Sequence, residues 1–297
     1  MAAATTSEVN NKILKEQKEI RRENLLTNSR LMIGFLGFVF IVLCAVLIPM
    51  FSSVDPNEME ISARLTPPSL HHIFGTDEFG RDLFIRVLYG ARVSLCVSSL
   101  VAVLSAIIGT IIGIYASFFK LLDHILMRIC DGLIAIPGML LAIALMAAFG
   151  NTSWTVVVAL TIVYTPSVAR MVRASALVTK EQTFVEAAKV QGASNVRILC
   201  KLIFPSVISP LIVQASFIFA QSIIAEASLS FLGAGIPAPA ASWGNILQAS
   251  KTVLTKAPWT AVFPGIIVIL CVLCLNLLGD GLRDYLDPHM IGRRKSK

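Results

Sequence analysis

Glu226 is an acid set deep inside an apolar run, Val207–Leu232. Hydrocarbon solvates charge poorly, so an ionisable residue in such a place is costly and marks an ion or substrate path by default. A partly hydrated position near the outer end of the run accounts for it equally well. Gln214, Gln221 and Asn276 are the other strongly polar groups in the apolar blocks, and with Glu226 they form the candidate translocation path. None of this supports catalysis. The chain has no G-x-S-x-G elbow, no H-E-x-x-H helix and no G-x-x-x-x-G-K-[ST] phosphate loop. His71 and His72 are adjacent but have no evident third ligand, so no metal site is expected. Cys271-Val-Leu-Cys274 lies in an apolar run without a second pair and reads as small packing residues.

Two polar stretches carry further spacing signals. Asp77 and Arg81, like Asp82 and Arg86, stand four apart with the acid first, the favourable order for a helical ion pair. Phe79, Leu83 and Val87 add an apolar stripe, which together predict a helix lying at the outer membrane face. Residues 170–206 are too polar to span and too long for a tight turn. Within them Phe184, Ala187, Ala188 and Gln191 follow helical spacing, and Thr183 with Glu186 fits a capping box. Gly192 breaks this helix, and a second turn runs through 196–204 to stop at Pro205. A short helix on a glycine turn between two spans would act as a lever, gripped by a partner and moving both spans together.

The elements that position these residues are membrane helices. Of 297 residues, 56% are hydrophobic and 14% charged, with a mean hydropathy of +0.77; soluble domains carry roughly a quarter charged residues. The excess sits in long blocks, and a span needs about 20 apolar residues. The blocks predict an all-α, polytopic protein with six transmembrane helices: Leu31–Phe51, Val93–Phe119, Gly132–Phe149, Trp154–Ala169, Val207–Leu232 and Ala261–Gly279. Pro137 and Gly138 predict a kink in the third. Ser105, Gly109 and Gly113, four apart in the second, predict a close helix contact. Nineteen of the 25 Lys and Arg fall in the termini and in the loops after spans two and four, which places both termini and the 170–206 loop in the cytoplasm. The net charge of +7 is thus read as orientation in a lipid bilayer, and no nucleic-acid partner is expected. The organisation predicted is an amphipathic tail (1–30), a first span with a long outer loop (31–91), a core (92–282) and a basic tail (283–297). Buried ionisable groups are too few for a proton- or sodium-driven carrier, so the energy for any transport would come from another subunit.

Glu186-Ala187-Ala188, Gly192 and Pro205 resemble the "EAA" loop of binding-protein-dependent ABC importer permeases. The resemblance runs from about His72 to Pro288. His72-Ile-Phe-Gly-Thr-Asp-Glu-Phe-Gly-Arg-Asp82 is similar to the outer segment of the second ("C") permease of the dipeptide/oligopeptide/nickel group. Tyr89-Gly-Ala-Arg-Val-Ser-Leu95, Glu226-Ala-Ser-Leu-Ser-Phe-Leu-Gly233, Trp243-Gly244 and Asn276-Leu-Leu-Gly-Asp-Gly-Leu-Arg-Asp284 extend it. Phe204 stands where the motif usually has leucine. The resemblance implies a type I importer transmembrane domain in the bacterial inner membrane, paired with a homologous permease. It also implies two cytoplasmic ATPases that bind ATP and Mg and receive Glu186, Ala187, Ala188 and Gly192, and an extracytoplasmic binding protein that delivers dipeptides, oligopeptides, glutathione or nickel chelates.

Overall fold

The computed structural model describes residues 28–52 and 54–286. The amphipathic stretch expected before residue 28 and the basic tail from 287 onward lie outside the described residues.

Apolar runs cross a bilayer as helices because each backbone polar group must be satisfied within the segment. In chain order the helices are α1 (Ser29–Phe51), α2 (Leu83–Phe118), α3 (Lys120–Ala135), α4 (Gly138–Phe149), α5 (Ser153–Lys180), α6 (Thr183–Val190), α7 (Asn195–Ile198), α8 (Phe204–Phe231), α9 (Trp243–Ser250) and α10 (Trp259–Leu286). α1, α2, α5, α8 with its lead-in from Asn195, and α10 are each long and apolar enough to span. The remaining span is broken: α3 and α4 meet at 94°, and counting the pair as one gives six. Pro137 causes the break. It pushes the preceding residue out of the helical region, and Ile136 is extended at φ −88°, ψ 129°.

The small-residue row of α2 faces α5. Ser105 donates to the Thr161 carbonyl at 3.5 Å. A Cβ on Gly109 would stand 2.5 Å from Val168 Cβ, and one on Gly113 would stand 2.5 Å from the Ala169 carbonyl oxygen. The two backbones therefore approach more closely than side chains allow. We expect Gly113→Leu to lower the melting temperature of the detergent-solubilised protein, by an overpacking cost of about 2 kcal/mol. A melting curve unchanged from wild type would show that the helices can separate freely here. α1 packs on α10 by the same device: Gly34 abuts the backbone of Cys274 and Leu278, and Gly37 faces the Cys274 sulfur. Cys271 and Cys274 are buried free thiols at that seam.

Three expectations change. Span four does not end at Ala169; α5 continues to Lys180, so Arg170 and Arg173 sit on a helix rather than in a loop. Pro205 does not stop a turn. Leu199–Ile203 is a π-helical segment that runs directly into α8. Its i→i−5 bonding, with Phe204 N–H on the Leu199 carbonyl, gives the helix room for a residue that has no N–H and a bulky ring. Finally, residues 77–82 form no outer helix, as described below.

Candidate functional site

At one end of the bundle the loop proper is Glu181–Ser194, between α5 and α7. The expected capping box is absent. Gln182 is the N-cap, without a side-chain cap, and Thr183 is already helical. The other end of α6 is closed by glycine: Gly192 lies at φ +80°, its N–H bonds to Lys189 O at 2.9 Å, and Ala193 N–H bonds to Ala188 O at 3.0 Å. This pair of bonds is the Schellman termination, and its left-handed residue favours glycine. One face of α6 is anchored. Val185 is 0% exposed and belongs to the buried cluster that includes Ile198, Ile203 and Val207. The other face is open. Glu186 and Ala187 are exposed, Ala188 is half-buried, and Phe184, Val190 and Val196 are 51%, 88% and 70% exposed.

The base of this lever is braced. Arg173 grips both carboxylate oxygens of Asp123 of α3 through Nε and Nη2, the latter bond at 2.7 Å. Arg170 donates to Asp131 at 2.6 Å, and Lys180 to the Ser117 carbonyl at 3.0 Å. Spacing along the chain predicts none of these pairs, because partners on different helices have no fixed separation.

Above the loop, α4, α5 and α8 line a groove of about 360 Å³ that includes Gly138, Met139, Tyr164, Gln221 and Ser228. Tyr164 Oη donates to the Gln221 carbonyl at 3.3 Å. Gln221 is exposed in the groove, and Gln214, half-buried, lies two turns away on the same face of α8. Asn276 is exposed on α10 and is not brought to this groove. Glu226 also lies apart from it. Five residues beyond Gln221 on the helix, it points away from the groove and is 0% exposed.

Glu226 is instead the centre of a hydrogen-bond relay. Its two oxygens accept from Ser94 Oγ and Ser230 Oγ, both at 2.8 Å. Ser94 Oγ in turn accepts from Trp243 N–H at 3.2 Å, and Ser230 Oγ from Ile236 N–H at 3.1 Å. Both serines donate to its carboxyl oxygens and present lone pairs to the backbone. The relay joins α2, α8 and the start of α9. Ser242 and Asn245 cap α9 reciprocally at 3.2 and 3.0 Å.

At the opposite end of the bundle, Asp77 and Arg81 do pair, at 2.6 Å, but in a turn. Asp77 Oδ1 takes the N–H groups of Phe79 and Arg81 at 2.9 and 3.0 Å, and Gly80 sits at φ +78°. Local aspartate-to-backbone bonding outcompetes the helix here. Asp82 does not pair with Arg86. It caps α2 through Ile85 N–H at 3.0 Å and meets His72 Nδ1 at 2.9 Å. Arg86 approaches Asp77 at 3.6 Å and donates to Pro56 O and Asn57 Oδ1 at 3.0 and 3.1 Å.

This arrangement matches known proteins. Residues 105–292 match the model of the family described as "Binding-protein-dependent transport system inner membrane component", and residues 19–68 match the N-terminal TM domain of oligopeptide transport permease C. A Brucella suis biovar 1 protein named for a peptide transport system permease is 49% identical over 272 residues, covering 90% of this chain and 92% of its own. The dipeptide transport system permease protein DppC of Alkalihalophilus pseudofirmus is 40% identical, covering 90% and 88%. The glutathione transport system permease protein GsiD of Escherichia coli O6:K15:H31 is 45% identical over 226 residues, covering 76% and 75%. Among solved structures, a chain of the inward-facing MetNI methionine ABC transporter superposes with a TM-score of 0.58 at 18% identity, covering 68% of this chain and 96% of that one. That last likeness concerns the fold.

Proposed function

The chain belongs to the family of binding-protein-dependent transport system inner membrane components, and from that premise we propose that it is the C-type permease of an ATP-driven importer of short peptides. The observation that carries the reading is the two-faced helix α6. Val185 ties it to the spans, and Phe184 and Glu186 turn outward with nothing among the described residues to cover them. That is the shape of a lever inserted into a partner. In this reading two cytoplasmic ATPases bind ATP and Mg and receive α6, Gly192 sets its exit angle, and Pro205 lies where the lever joins α8. A homologous permease faces the groove of Gln214 and Gln221, and an extracytoplasmic binding protein delivers the substrate. The chain then contributes no ATPase site of its own. It lies in the bacterial cytoplasmic membrane with both termini inside, the side favoured by the Lys and Arg distribution.

Relatives named for peptide, dipeptide and glutathione transport favour a peptide over a nickel chelate, and glutathione is itself a short peptide. The test is uptake of labelled dipeptide by proteoliposomes holding both permeases and the binding protein, with and without the ATPases. Uptake is expected only when the ATPases and ATP are present; uptake without them would make the chain part of a self-sufficient carrier. In the complete system Glu186→Lys is expected to cut ATP-driven uptake about tenfold, the effect of losing one charged contact at an interface. Wild-type uptake by that variant would remove α6 from the coupling contact.

A further inference from the structure

At the face opposite α6, three outer segments meet around a pocket of about 330 Å³: the turn before α2, the α4–α5 turn, and the α8–α9 connection with α9 itself. The volume falls within the range of small-molecule sites, roughly 300–1,000 Å³. Its floor carries Arg81 and Arg86, which are 8% and 5% exposed. One carboxylate, Asp77, serves both, at 2.6 and 3.6 Å. Arg81 spends only Nε on it, and Arg86 spends Nη1 on Pro56 and Asn57. The remaining terminal nitrogens bond to no described residue, yet they are not sealed in. The fully enclosed unpartnered side-chain atoms among the described residues are hydroxyls, those of Ser98, Thr110 and Thr161.

Two nearly buried guanidiniums share one carboxylate, and an anion placed at their free nitrogens would gain charge-assisted hydrogen bonds. A cavity of about 20 Å³ behind the cluster has room for a water molecule, which brings hydrogen bonds but no charge. Glu78 lines the same pocket from a more exposed position and accepts from Thr252 Oγ1 at 3.2 Å. Gln248, exposed at the rim, offers an amide suited to a peptide bond. The pocket therefore presents fork-shaped donors for a carboxylate, an acid for an ammonium group and an amide between extracytoplasmic solvent and the spans.

We propose that this pocket is a substrate subsite in which Arg81 and Arg86 take the terminal carboxylate of a short peptide and Glu78 its ammonium group. The inference rests on the peptide-importer reading above and adds that the permease itself, not only the binding protein, reads the two charged ends.

The test is equilibrium binding of radiolabelled dialanine to the permease–ATPase complex in nanodiscs without binding protein, in competition with its C-terminal amide and its N-acetyl form. Each blocked form is expected to bind about tenfold or more weakly, the effect of losing a charge-assisted hydrogen bond. Arg81→Lys keeps the charge but loses the fork, so it should weaken the free acid about tenfold while leaving the amide unchanged. Gln248→Trp fills the pocket from an exposed position at its rim and should abolish binding. Equal binding of acid and amide by the wild type, or wild-type binding by Gln248→Trp, overturns the proposal. So does a Gln248→Trp complex that keeps peptide but loses affinity for the binding protein, which would assign the arginines to acidic side chains of that protein. Dialanine uptake by the complete importer, measured in parallel, separates the two readings. Uptake without pocket binding overturns the subsite alone, whereas absence of peptide uptake overturns the importer reading.

Discussion

Val185→Asp is expected to abolish ATP-driven uptake while the protein still inserts in the membrane. Val185 is the residue of α6 with 0% exposure, clustered with Ile198, Ile203 and Val207 at the root of α8. A carboxylate in that position loses its water and gains no partner among the apolar side chains named, at a cost on the order of 3 kcal/mol or more. The cheapest response is for α6 to swing off the spans, because the loop can hydrate Asp without unfolding a transmembrane helix. A seating equilibrium shifted by that amount falls about a hundredfold, and a lever that is not seated transmits no motion. Val185→Ala removes two buried methyl groups, about 1.5 kcal/mol, and is expected to retain most uptake. Phe184→Asp, on the open face, is the contrasting variant. It should weaken copurification of the ATPases, whereas Val185→Asp should leave hydrolysis running without dependence on substrate. Substrate-dependent hydrolysis in Val185→Asp would show that α6 need not be fixed to the spans.

Glu226→Ala is expected to detach the outer connection between α8 and α9. The carboxylate accepts from two serines that each hold a backbone N–H from beyond the helix, Trp243 and Ile236. Alanine leaves two buried hydroxyls without their acceptor, each worth about 1–3 kcal/mol, along with the space of the lost side chain. The sum is about 4 kcal/mol, and it should appear as a lower melting temperature and as faster proteolysis within residues 233–242. Glu226→Gln preserves the volume and one accepting oxygen. Its amide N–H forces one serine to accept and to turn its own proton elsewhere, so a smaller loss is expected, about 1 kcal/mol. If alanine and glutamine variants melted alike, the relay would not be what holds this corner.

Part of this was legible in the residues themselves. The apolar blocks announced spanning helices because length and hydropathy are local properties, and the Ser105-Gly109-Gly113 row announced a close contact because four-residue spacing fixes one helix face. Gly192 announced the end of α6, since few other residues accept its φ of +80°. The outer segment was misread for a related reason. Spacing of four cannot distinguish a helical ion pair from an aspartate that folds a turn over its own backbone, and Gly80 at φ +78° was the signal that favoured the turn. The capping box failed because Thr183 and Glu186 have the right separation but begin one residue too late, with Gln182 already at the cap.

The sequence by itself determined the membrane class, the existence of the spans and the presence of a short helix in the 170–206 loop. Each is set by composition or by neighbours within a turn or two of the chain. Only the tertiary structure decided what the polar residues do. Glu226 reads in isolation as a path residue, and its place in the relay depends on Ser94, which is 132 positions away. Arg173 reads as a loop base, and its grip on Asp123 spans 50 positions. Arg81 and Arg86 read as helix pairs and become the floor of a pocket whose other walls come from α9 and two distant turns. Hydrophobic burial along one helix is written in the local pattern; the partners of a buried polar group are chosen by which helices the bundle brings side by side.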